Sequence, residues 1–484
     1  MALRARLAGP SAPPRAVWPW HTATTGSIAV SALLGGDRRL EAETYLSSGY
    51  GIRTAIESKP AGWKNFDQLA RVWQPGRLKG ILVSPEFGTP FLAATQVFDV
   101  RPVPRKWLAL GRTSDAENRF VKPGMILITR SGSVGRPTLA YCTHQSTLVS
   151  DDLLRIDPLD QRNRGWIYAY LHASQTRAMA IGAHYGHIIK HLETSHIYAL
   201  PIPTVDDDTA ADFQRRVNRI LELRNEGYRL TLEAEARFEN SLGSIKIADW
   251  GENGFTVKAS KAFVSGRRRM DATIHNPGVS AIRRHLTKKG EGFTKIMDAG
   301  YDVWLPTRFR RIPAEDGVWL FESADLTEIN PDLKKRIADG DFGDRNRGRV
   351  DPGWVLMARS GQTYGIIGTT MISGEDLDGK IISDHIMRIK PRSDAKIKPG
   401  YLMTALSHPI FGRPLVKAIA YGSSIPEIEV ADIETHPIVR LKPAEETKIA
   451  ELAEESATAR AASDVLEREI AADAEKIIAK FIAE

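Results

Sequence analysis

Val121-Lys122-Pro123-Gly124-Met125-Ile126-Leu127-Ile128-Thr129-Arg130-Ser131-Gly132 returns about half a chain later as Val350-Asp351-Pro352-Gly353-Trp354-Val355-Leu356-Met357-Ala358-Arg359-Ser360-Gly361. Val, Pro, Gly, Leu, Arg, Ser and Gly recur in register. A period this long is not that of a solenoid, so the chain reads as one module made twice in tandem. Each copy presents a Pro-Gly turn, a short apolar run suited to a buried strand, and a closing Ser-Gly.

The repeat extends on both sides. Gly88-Thr89-Pro90-Phe91-Leu92 sits at the same offset as Gly317-Val318-Trp319-Leu320-Phe321. Downstream, Val149 to Ile156 resembles Ile382 to Ile389, and Gly165-Trp166-Ile167 matches Gly400-Tyr401-Leu402. Tyr185-Gly186 matches Tyr421-Gly422, and Ile197 to Ile202 aligns with Ile433 to Ile438. The segments around Leu154 and Met387 read as partner strands for the Pro-Gly strands. Trp166 to about Ala180 and Tyr401 to about Ile419 read as helices.

Each copy ends in a long charged stretch. Asp207 to Leu242 has no Pro and a single Gly, with Phe213, Val217, Ile220, Leu221, Tyr228, Leu232 and Phe238 near helical spacing. Ala444 to Phe481 carries Ile449, Leu452, Leu466, Ile470 and Ile477, with small Ser456, Ala459 and Ser463 between them. Helices of roughly 35 residues span about 50 Å, more than one small domain needs. The two should pair, because neither can bury its stripe alone; the alternative is that each packs on its own module. The expected fold class is α+β, with a tail over 1–25, a first mixed module over 26–205, a helix over 206–243, a second module over 244–443 and a second helix over 444–484.

With 484 residues, 42% apolar and 26% charged, the chain has the composition of a globular protein of two or three domains. It contains no apolar run long enough to span a bilayer, so no membrane association is expected. The Ala-, Pro- and Arg-rich start reads as a flexible tail rather than a signal peptide. A single cysteine, Cys142, excludes an intrachain disulfide and a thiolate zinc cluster, and favours a cytoplasmic setting. The net charge of +7 implies a nucleic-acid partner only where basic residues cluster. Clusters do occur, at Arg267-Arg268-Arg269, Arg283-Arg284, Lys288-Lys289, Arg308 with Arg310-Arg311, and Arg345, Arg347 and Arg349. The first copy has the sparser set Arg71, Arg77, Lys79, Arg101, Arg105, Lys106 and Arg112.

In the order of these motifs, the chain resembles the specificity subunit of type I restriction–modification systems, over nearly its whole length beyond the tail. The resemblance implies two target-recognition domains, each reading half of a split double-stranded DNA sequence. The long helices would form an antiparallel coiled coil that sets the spacing. Two methyltransferase subunits, carrying S-adenosylmethionine, would dock on it, with translocase–nuclease subunits joining later. This chain would itself be a non-catalytic part of a phage-defence complex. After Pro201-Ile202-Pro203 and Pro437-Ile438 it departs from a Pro-Pro-Leu-x-Glu-Gln run common in relatives, which leaves room for a related defence system.

The expected DNA contacts are Lys79, Arg105, Lys106, Arg130 and Arg136 in the first copy, and Arg308, Arg310, Arg311, Arg345, Arg347 and Arg359 in the second. Arg130 has a competing structural reading, since Arg359 repeats it in the same Ser-Gly setting. The expected helix contacts are Phe213, Val217, Ile220, Leu232, Leu452, Leu466, Ile470 and Ile477. Gly132 and Gly135 lack the Gly-Lys-Ser/Thr ending of a Walker loop. His184, His187 and His191 have a spacing able to ligate a metal on a helix, but the second copy has Ala420, Ser423 and Glu427 there, and no metal site is expected. Glu57-Ser58-Lys59 has the acid-x-Lys form for the alternative, a free-standing metal-dependent nuclease, but lacks a strand-borne Asp partner. Asp151 and Asp384 recur as acids at a strand, read as structural acceptors.

Overall fold

The computed structural model describes residues 28, 30, 42–183, 191–246, 254–260, 269–339, 348–422 and 424–484. The expected tail over 1–25, His184, His187, Arg267, Arg268, Arg345 and Arg347 lie outside them.

Ile126–Thr129 and Val355–Ala358, the strands after the two Pro-Gly turns, are buried at all four positions. Gly124 and Gly353 hold φ of 82° and 89°, a left-handed conformation that glycine adopts without a Cβ penalty. Lys122 to Met125 closes a turn with Pro at the second place and Gly at the third, the Met125 N–H donating to Lys122 O at 3.0 Å. Each strand then takes the centre of an antiparallel sheet. In the first lobe the order is Ala70–Trp73, Leu153–Pro158, Ile126–Thr129, Pro137–Leu139; in the second it is Tyr301–Trp304, Ile386–Pro391, Val355–Ala358, Thr370–Ile372. Even the register repeats, with Ile126 opposite Ile156 and Val355 opposite Ile389.

A smaller sheet flanks each large one. Leu82–Val83, Lys106–Leu108, Thr89–Leu92 and Leu148–Val149 form it in the first lobe; Arg336–Ile337, Pro313–Phe321 and Ile381–Ile382 form it in the second. The expected helix after Trp166 is two, Arg164–His172 and Ser174–Ala183, and its counterpart is also two, Pro399–Ser407 and Arg413–Ile419. In the second lobe the break has a local cause. Pro409 disfavours helical backbone at His408, which is extended at φ −52°, ψ 125°.

The repeated Gly165 and Gly400 fasten each module to the long helix that follows it. A Cβ on Gly165 would lie 2.3 Å from Gln214 N, and one on Gly400 2.2 Å from Ala450 O. The same N–H groups donate to Gln214 Oε1 at 2.9 Å and Glu454 Oε1 at 3.0 Å. Next to them Trp166 Nε1 donates to Pro203 O and the Tyr401 hydroxyl to Val439 O, anchoring the short exit strands.

The first long helix, Asp207–Leu242, starts where Asp206 accepts the Thr209 N–H at 2.7 Å and ends at Gly243, with φ 72°. The second, Pro443–Ala483, opens with Pro at its first position. They run in opposite directions side by side. Arg216 meets Asp473 at 2.9 Å, Arg224 meets Glu467 at 2.7 Å, Thr231 meets Ser456 at 2.7 Å, and Arg237 meets Glu445 at 3.2 Å. Each helix also packs on both lobes. Phe213, Val217 and Ile220 join Ile470, Ala474 and Ile478 in the first core; Leu230, Ala234, Phe238 and Leu242 join Ile449, Leu452 and Ala453 in the second. Between these apolar ends lies a polar waist of Arg224, Glu467, Ser463 and Asp464, all buried.

One of the expected helix contacts needs correction. Leu232 is 40% exposed, because the neighbouring Leu230 and Ala234 occupy the buried stripe. Leu466 and Ile477 are half-buried and pack against the first core, beside the fully buried Glu467 and Ile478.

The lobes meet along a short backbone pairing. Val100 N–H donates to Thr327 O at 2.7 Å and Ile329 N–H donates to Phe98 O at 2.8 Å, with Asp99 bridged to Glu328 between them. The offset that superposes Gly88 on Gly317 also superposes Phe98, Asp99 and Val100 on Thr327, Glu328 and Ile329. Each bond is therefore the image of the other, the mark of an isologous contact, and an approximate two-fold axis passes between Asp99 and Glu328. Among the described residues, no helix is long and apolar enough to cross a membrane.

Candidate nucleic-acid interface

The expected basic residues fall into two groups. Lys79, Arg105 and Lys106 are exposed around the smaller sheet of the first lobe, with no ion pair to a described carboxylate. Lys106, at the start of Lys106–Leu108, is exposed, while Leu108 at its end is buried. Main-chain bonds bring Lys79 to the same place: its N–H donates to Ser114 Oγ at 2.9 Å and its carbonyl accepts the Ser114 N–H at 2.7 Å. Arg77 and Arg112 are exposed nearby in sequence. In the second lobe Arg308 and Arg310 are exposed, also without such a partner, on the segment leading into Pro313–Phe321.

Arg130, Arg136, Arg311 and Arg359 are instead engaged in ion pairs. Arg130 pairs with Glu193 at 2.5 Å and its counterpart Arg359 with Glu427 at 2.8 Å. The recurring Arg-Ser-Gly loops are thus held to their own modules, as the structural reading of Arg130 has it. Arg311 binds Asp384 at 2.6 Å and Glu322 at 3.1 Å. Burial pushes the Asp384 carboxyl up, but the Arg311 guanidinium outweighs it and holds the group below the ordinary range. Asp151 is clamped likewise by buried Arg119 at 3.1 Å. Arg136 reaches across the lobe junction to Glu328 at 2.6 Å and to the carbonyls of Ile329 and Asn330, with Phe98 beneath its guanidinium. A neighbouring bridge, Arg177 to both carboxylate oxygens of Asp332 at 2.7 and 2.8 Å, crosses the same junction.

Sequence reasoning missed a repeated buried arginine. Arg155 and Arg388 have no exposure, and each donates to three carbonyls of the turn before its strand: Val149, Ser150 and Leu153, or Ile382, Ser383 and Ile386. Burial pulls both guanidinium groups down to about 9, still above neutrality, so both stay charged. Their recurrence inside apolar strands was a legible signal. The junction carboxylates were missed too. Burial and the facing Glu328 push Asp99 up to about 7 against the pull of Arg105 and Arg136.

Glu57 ends a helix and pairs with Arg53 at 2.7 Å. No group of three or more His, Cys, Asp or Glu able to hold a metal occurs among the described residues.

No family model matches the chain, and no curated protein matches it. Among solved structures, it is similar to a type-I restriction-modification system S subunit from M. genitalium, with 12% identity, 88% of this chain and 96% of that chain covered, and a TM-score of 0.32. It is also similar to the HsdS subunit from Thermoanaerobacter tengcongensis, at 12% identity over 87% of this chain and 97% of that one, TM-score 0.24. A chain from a structure of type I restriction–modification complex assembly and conformational transition gives 12% identity, coverages of 87% and 98%, and a TM-score of 0.25. At scores this low, the functional reading has to stand on the geometry of the chain itself.

Proposed function

We propose that the chain is a non-catalytic reader of a split double-stranded DNA sequence, acting as the specificity subunit of a type I-like restriction–modification complex. The observation that carries this reading is the isologous junction at Asp99 and Glu328, which sets two similar lobes about an approximate two-fold axis. Duplex DNA has its own backbone dyads, so a reader of this symmetry meets both halves of a site with equivalent surfaces. Exposed Lys79, Arg105, Lys106, Arg308 and Arg310 supply phosphate contacts. In this reading the lobes are the target-recognition domains over 26–205 and 244–443.

The helix pair acts as an antiparallel coiled-coil spacer. Helices of 36 and 41 residues extend about 54 and 62 Å, the length of roughly 15 to 18 base pairs. The half-sites differ, because the surfaces of the lobes differ: exposed Phe87 has Asp316 at its offset. Two methyltransferase subunits dock on the helices and bring S-adenosylmethionine and the catalytic groups; translocase–nuclease subunits join that assembly. Co-expression of the chain with candidate methyltransferase subunits should give a stable complex that methylates one split motif. Its DNA affinity should fall steeply with salt, each of the five basic residues contributing about one unit of slope. A chain that neither associates nor prefers any sequence refutes the reading.

A further inference from the structure

Phe87 is 82% exposed, and Leu82 at 62%, Ile81 at 56% and Val103 at 60% lie on the same smaller sheet or beside it. A large aromatic side chain this far into solvent is costly unless something covers it. Its backbone is firmly held. Leu82–Val83 and Thr89–Leu92 both pair with Lys106–Leu108, so the segment Ser84–Gly88 must cross back over that central strand. The crossing is tight: a Cβ on Gly88 would lie 2.5 Å from Trp107 Cβ and 2.7 Å from Val83 Cγ2. Pro85 opens a single turn closed by the Phe87 N–H on Ser84 O at 3.1 Å. The result is a stiff apolar projection on a segment that crosses the strand carrying Lys106, next to Arg105.

Charge decides between occupants. From Gln74 to Arg112 the exposed basic residues are Arg77, Lys79, Arg105, Lys106 and Arg112, with Arg101 taken up by Glu235, against Glu86 and Asp99 alone. A rigid apolar wedge with a cationic surround matches a polyanion with stacked apolar faces. Resting on the DNA-reading function above, we infer that Phe87 is a wedge that enters between two base pairs of the duplex, unstacking one step while Lys79, Arg105 and Lys106 hold the flanking phosphates. At the offset of the repeat Phe87 becomes Asp316, an acid that a polyanion repels. The distortion is therefore confined to the half-site read by the first lobe.

The test uses the full chain with its methyltransferase subunits, and duplexes carrying the methylated split motif with 2-aminopurine replacing one adenine at a time. Wild type should raise the fluorescence at one step of one half-site. Phe87→Ala should abolish that rise and weaken binding about fivefold to a hundredfold, while Phe87→Leu retains most of both. The salt slope should be the same in all three, because no phosphate contact is touched. Since Phe87 is on the surface, melting of the variants should match wild type. Equal affinity and equal fluorescence for Phe87→Ala would overturn the wedge and leave the DNA reader standing. If Phe87→Ala instead loses the methyltransferase subunits, the face is a protein contact and the wedge is wrong. A wild-type complex with no DNA binding sinks the reader itself.

Discussion

Removing Glu467 should be among the most costly single changes in this protein. Its side chain and that of Arg224 are each 2% exposed and meet at 2.7 Å in the waist between the long helices. The Tyr168 hydroxyl also donates to Glu467, and His172 Nε2 lies 3.6 Å away. Arg224 Nε and Nη1 have no hydrogen-bond partner, so the carboxylate is the main compensation for a buried guanidinium. Glu467→Ala leaves that charge stranded, a loss of about 3–5 kcal/mol. For a cooperative unit of lobe size this lowers the melting temperature by roughly 6–20 °C. Glu467→Leu paired with Arg224→Leu should recover most of the loss, because two apolar side chains of similar volume carry no stranded charge. The sign with pH is fixed as well. Burial pushes the Glu467 carboxyl up, but Arg224 and His172 outweigh it and set it below its ordinary value. Its contribution is thus present above the unfolded glutamate range and disappears only as pH falls through the lower folded value. The assay is thermal unfolding followed by the helix signal in circular dichroism, wild type beside the single and double variants. A shift of less than about 2 °C for Glu467→Ala would refute the reasoning, since the waist would then be wet enough to solvate Arg224 alone.

Two further outcomes follow from the repeated features. Arg155→Met should destabilise the first lobe by roughly 3 kcal/mol or more, because three buried carbonyls lose their donor; chemical denaturation should register it, and a neutral result would mean that the turn at Val149–Leu153 rearranges. Asp99, raised to about 7, is easier to protonate folded than unfolded, so the lobe junction should strengthen as pH falls from about 8 toward 4. Asp99→Asn should fix the strengthened state and flatten that profile in an interlobe fluorescence-transfer measurement, whereas a profile unchanged by the substitution would place the titration elsewhere.

Much of the architecture was legible because duplication repeats local signals. Pro123-Gly124 and Pro352-Gly353 marked the start of a central strand in each lobe, and the runs around Leu154 and Met387 are its neighbours. The absence of Pro between Asp207 and Leu242 marked an uninterrupted helix. Helical phase was harder to read: Leu232 falls outside the buried stripe that Leu230 and Ala234 fill, since two packed helices leave less room for a phase error than a wide apolar stripe does. The polar waist was invisible, because a pattern search treats Arg224 and Glu467 as surface residues.

The sequence alone determined what is local and repeated: two mixed modules, their central strands, and a long helix after each. The period of a strand or helix is written into neighbouring residues, so it survives without knowledge of the fold. Tertiary structure decided which basic residues remain available to a polyanion. Lys79 and Arg136 read alike in the chain, yet one is exposed without an ion pair and the other binds Glu328 across the lobe junction. A carboxylate within hydrogen-bond reach settles an arginine's role, and here that carboxylate belongs to the other copy of the module.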